Sequence, residues 1–64
     1  MKNNEGLLQQ AILFAQEIDY ISVSSLQRKF LIGYEQAKQL LDQLIETNIC
    51  EAAFTIGYGY LIYK

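Results

Sequence analysis

The chain has 64 residues, 52% of them hydrophobic, which suits one small, compact soluble domain with a single core and disfavours disorder. One cysteine and no histidine exclude an internal disulfide, a zinc cluster and a Cys/His or Ser/His/Asp catalytic set. No enzyme, no metal and no cofactor is therefore expected, and a formal net charge of −2 argues against a purely electrostatic grip on nucleic acid.

The charges are unevenly spread. Between Ser22 and Leu41, Arg28, Lys29 and Lys38 face only Glu35. Elsewhere Lys2 and Lys64 are set against Glu5, Glu17, Asp19, Asp42, Glu46 and Glu51, so the positive part of the chain is central. The uncharged run Ala52 to Tyr63 is too short to span a bilayer and is interrupted by glycines. No basic start followed by an apolar run resembles a signal peptide, so no membrane partner and a cytoplasmic location are expected.

The pattern predicts a first helix over about 5–18. Leu8, Ala11, Ile12 and Ala15 recur at helical spacing, Leu7, Phe14 and Ile18 widen the stripe, and Asn3 or Asn4 is available as an N-cap. That helix reads as core. Ile21-Ser22-Val23 reads as a short edge strand over 21–23. A second helix over about 24–31 begins with an S-x-x-Q capping box, Ser24 and Gln27, and buries Leu26 and Phe30. Its polar side holds Gln27, Arg28 and Lys29. A solvated face near the helix C-terminus and a phosphate-contacting face are both open for the two cations.

Gly33 is expected to supply the turn through backbone freedom and to cap a third helix over about 34–47. Ala37, Leu40, Leu41 and Leu44 fill its inward arc, with Ile45 at the edge. Glu35, Gln39, Asp42 and Glu46 fall on the opposite face, flanked by Gln36, Lys38 and Gln43. Asn48 stands where a left-handed cap residue belongs. A hairpin over 49–63 follows, with Tyr58, Tyr60 and Ile62 on one face, Leu61 and Tyr63 on the other, and Cys50 as a small core hydrophobe. Helix, short strand, helix, helix, hairpin over 1–64 is a small α+β fold, a single winged helix-turn-helix domain.

With the elements in place, Gln27-Arg28-Lys29-Phe30-Leu31-Ile32-Gly33-Tyr34, followed by Ala37, Leu40, Leu41, Asp42, Gln43 and Leu44, resembles the γ domain of FtsK/SpoIIIE-type bacterial DNA translocases. The Q-R-K-x-x-I-G-Y motif is fairly specific, because ordinary helix-turn-helix segments share only the apolar positions and the turn glycine. The resemblance implies a winged-helix domain that binds short, oriented, G-rich duplex sequences and steers the motor. In some bacteria such a domain also meets a site-specific recombinase.

The departures fall on the outer face. The family pattern after the tyrosine is Asn then Arg, with a second Arg three positions on and an acid three beyond that. This chain has Glu35, Gln36, Gln39 and Asp42 there, and Lys38 where alanine is frequent. Arg reads guanine, Gln suits adenine, and Asp or Glu accepts from cytosine, so the G-rich target is not carried over. Glu35 repels phosphate, and the hairpin tip Thr55-Ile56-Gly57-Tyr58-Gly59 has no cation to grip it.

Duplex DNA bound weakly to moderately is the favoured function. Gln27, Arg28, Lys29, Tyr34, Glu35, Gln36, Lys38, Gln39 and Asp42 form the expected DNA-facing set. The alternative is a protein-contact module, docking a partner or a second copy of itself through Glu46, Tyr58 and Tyr60. For the tyrosines, strand-face packing is the default against which any contact role is weighed.

Overall fold

The computed structural model describes residues 5–63, so the asparagines expected to cap the first helix lie outside the described residues. Helix α1 (Glu5–Ala15) buries Ala11 and Ala15 completely and sets Leu7, Leu8, Ile12 and Phe14 against the core. The α-helix ends at Ala15, short of the expected 18. The Glu17 N–H donates to the Phe14 carbonyl (3.0 Å) and the Ile18 N–H to that of Ala15 (3.3 Å). Bonds reaching three residues back tighten the last turn out of α geometry while still satisfying its carbonyls.

Strand β1 is Tyr20–Ile21 and not 21–23, because Val23 already belongs to helix α2 (Val23–Phe30). The cap is Ser22, still extended at φ −144°, ψ 166°. The Ser25 N–H donates to Ser22 Oγ (3.1 Å), and the Ser22 N–H donates to Ser25 Oγ (2.9 Å). This reciprocal box displaces the expected Ser24–Gln27 pair. Ser22 is the first residue free to leave the strand, and once it caps the helix, Ser24 lies inside the first turn.

The turn between the two helices corrects a second expectation. Helix α2 closes at Leu31, which takes the left-handed conformation (φ 55°, ψ 48°). The Leu31 N–H and the Ile32 N–H both donate to the Gln27 carbonyl, the latter at 3.3 Å. Gly33 instead sits at φ −74°, ψ 169°, an ordinary extended geometry, and N-caps helix α3 (Tyr34–Glu46). The strained dihedral is the leucine's.

Helix α3 buries Ala37, Leu40, Leu41 and Leu44, as its periodicity requires. Each buried leucine contributes roughly 1.5–3 kcal/mol, so this face anchors the fold. Asn48 (φ 62°) ends it as expected: its N–H donates to the Ile45 carbonyl (3.1 Å) and the Ile49 N–H to that of Leu44 (2.9 Å).

Strands β2 (Cys50–Thr55) and β3 (Gly59–Ile62) complete an antiparallel sheet of order β1-β3-β2. The β2–β3 register shifts between Cys50 and Phe54, where β2 carries surplus residues. Gly59 (φ 111°) is buried against β1, and a Cβ there would stand 2.6 Å from the Ile21 carbonyl oxygen. Three helices and a small antiparallel sheet in this order form a winged helix-turn-helix. Ile21, Leu26, Leu44, Cys50 and Ile62 join the helices in one core.

Candidate functional site

Burying one face of α3 leaves the opposite face bare. Tyr34, Glu35, Gln36, Lys38, Gln39, Asp42 and Glu46 are all exposed. Lys38 Nζ lies 3.7 Å from Asp42 Oδ2, one helical turn away, so the cation on α3 is already engaged with an acid on the same helix. Glu35 is the acid of the first turn, beside the unpaired amides that follow Gly33, where a negative charge is favoured.

A hollow of about 460 Å³ opens between the start of α2, the start of α3 and the hairpin. Its walls include Ser22, Ser24, Gln27, Tyr34, Phe54, Tyr58 and Tyr60. Tyr58 leans on Tyr20, with ring centroids 5.0 Å apart, and Phe54 meets Tyr60 edge-on at 5.5 Å. Gln27, Tyr34, Tyr58 and Tyr60 are thus brought together. Tyr60 is half-buried against the core, whereas Tyr58 belongs to the turn and is exposed.

The two cations of α2 part company. Arg28 is exposed. Lys29 turns toward α1, its Nζ 5.4 Å from the centre of the Phe14 ring, which in turn packs edge-on to Phe30 at 6.0 Å. With Gln10, Leu13 and Glu17 these residues frame a second, smaller hollow of about 210 Å³. Lys29 is therefore separated from the groove beside α3. Cys50 is buried, and its desolvation pushes the thiol above its ordinary pKa, away from the thiolate that reactivity needs.

A family model described as the FtsK gamma domain matches residues 2–54. The chain belongs to the FtsK gamma domain family. It is 44% identical over 50 residues to a DNA translocase FtsK of Clostridium tetani, covering 73% of this chain and 7% of that protein. The corresponding figures are 46% over 49 residues, 77% and 6%, for the DNA translocase FtsK of both Staphylococcus aureus and Staphylococcus epidermidis. The chain thus spans well under a tenth of the length of these relatives. No solved structure matches it. Among the described residues no helix is long and apolar enough to cross a membrane.

The FtsK gamma match stops at Phe54, so the hairpin turn and β3 lie beyond it. Some of what sequence reasoning missed lies near or beyond that point. Phe54 and Ile56 are exposed, and Phe54 lines the groove. Leu31 too is exposed, in the interhelical turn. Ser22 was legible as a cap candidate, since a serine follows the strand directly; exposed Phe54 carried no signal, because an apolar residue in a short strand reads as buried.

Proposed function

We propose that this domain binds duplex DNA with α3 in the major groove, as the DNA-reading part of a translocase or as a small stand-alone regulator on the same scaffold. The observation that carries the reading is the free outer face of α3 on a helix-turn-helix of the FtsK gamma family. In it, residues 1–64 act as one domain with no catalytic step of their own. Gln36, Gln39 and Asp42 approach base edges, Gln27 and Tyr34 flank the start of the helix, and Arg28 and Lys38 meet phosphates. Lys29 joins them on release from Phe14. Glu35 works against the phosphates, which keeps affinity weak to moderate. A cytoplasmic location, where chromosomal DNA lies, follows from the same reading.

A fluorescence anisotropy titration against random-sequence and G-rich duplexes at low and moderate salt tests it. With two or three cations in play, log K against log salt should fall with a slope of about −2 to −3, and Lys38→Ala should reduce that slope by about one while weakening all sequences alike. Absence of binding at about 50 mM salt ends the DNA reading. The second reading, docking of a partner protein or a second copy, is favoured by the uncharged hairpin tip with Phe54, Ile56 and Tyr58 exposed. Under it, Tyr58→Ala or Glu46→Ala is damaging and Lys38→Ala is silent.

A further inference from the structure

Resting on the DNA reading above, we infer that α3 selects a duplex carrying two adenines one or two base pairs apart, with Gln36 and Gln39 each reading one of them. The sequence of α3, YEQAKQLLDQLIE, contains no arginine, and so lacks the side chain that most often reads guanine bidentately. Lysine can replace it, but Lys38 is the one cation of this helix and its ammonium is turned to Asp42 at 3.7 Å. That exposed pair competes with guanine reading by Lys38 and with cytosine reading by Asp42, without removing either from reach of the duplex. Glu35 lies in the first turn, where the helix amides hold its charge and the duplex phosphates oppose it.

The exposed carboxamides of α3, which carry a donor and an acceptor side by side in one plane, are Gln36 and Gln39. A carboxamide presents an N–H and a C=O to adenine N7 and N6 respectively, the matched arrangement for that base. Both residues are exposed and free of the core that holds their neighbours Ala37 and Leu40. Three residues apart on a helix, their Cβ atoms stand about 5–6 Å from one another. Base pairs are stacked at about 3.4 Å, so the two amides meet pairs one or two steps apart.

The test is selection of bound duplexes from a random pool by the full chain at about 50 mM salt, repeated with Gln36→Ala, Gln39→Ala and Gln39→Arg. Adenine should be enriched at two positions one or two base pairs apart. Each alanine variant should level one of those positions and weaken binding to the selected site about 5- to 150-fold. Gln39→Arg should convert its position to guanine. All three variants alter exposed positions, so circular dichroism should find them folded as the parent is. Enrichment of guanine by the unaltered chain, or retention of duplexes with no positional preference, overturns the adenine assignment while leaving DNA binding intact. Retention of no duplex at all overturns both.

Discussion

Leu31 is held where its side chain is least welcome. It is 89% exposed and has φ of 55°, so it gives up little burial in exchange for a left-handed backbone. That conformation costs a residue with a Cβ about 1–2 kcal/mol, part of which glycine recovers. Leu31→Gly is expected to raise stability by about 1 kcal/mol, which thermal denaturation should record as a Tm increase of about 4–8 °C. Cys50 gives the opposite kind of residue effect, one visible only through pH. Its folded-state pKa is raised by burial, so the folded chain holds its proton after the unfolded chain has released it. Stability is then unaffected by this group below the ordinary thiol range and falls as pH rises through it. Urea melts at neutral and alkaline pH should show that decline in the parent, and Cys50→Ala, though less stable overall, should lack this component of it.

At the level of elements, the start of α2 is decided by serines competing for one cap. Ser22→Ala should cost about 1 kcal/mol, since it strips the oxygen that accepts from the Ser25 amide. Ser24→Ala should leave the melting curve near that of the parent, because Ser24 is an exposed first-turn residue and alanine suits helices. The contrast measures which box forms. It also explains why this boundary was hard to place from sequence. Ser22, Ser24 and Ser25 all carry cap chemistry, and spacing alone favoured the S-x-x-Q frame; the strand that delivers the chain to Ser22 decides otherwise. Helix α3 was the reverse case. Its inward row, its glycine N-cap and the left-handed Asn48 were all readable, because period and cap chemistry agreed. The hairpin lay between these extremes: its existence followed from glycines and β-branched residues, but the outward stance of Phe54 and Ile56 did not. Phe54 lies in β2 past the register shift against β3, and Ile56 belongs to the turn that follows.

Across the whole molecule, the wing meets the helix pair both through the core it shares with α3 and through the short strand β1. Tyr60 pairs with Ile21 in β1, and Ile21 runs straight into the Ser22 cap of α2. Gly59 makes that approach possible, since any side chain there meets the Ile21 carbonyl oxygen. Gly59→Ala should therefore be strongly destabilising, by more than about 2 kcal/mol, whereas Gly57→Ala, also left-handed but facing open space, should cost about 1–2 kcal/mol. Comparing the two by chemical denaturation separates backbone strain from collision.

That joint has a mechanical consequence. The strand carrying the wing is hydrogen-bonded to the two residues that precede the α2 cap, so helix and wing cannot swing apart without tearing the sheet. They behave as the two jaws of a caliper set to a fixed gauge. Under either function proposed above, a partner that touched both would have to bring surfaces already separated by that gauge, and the adjustment would fall on the partner.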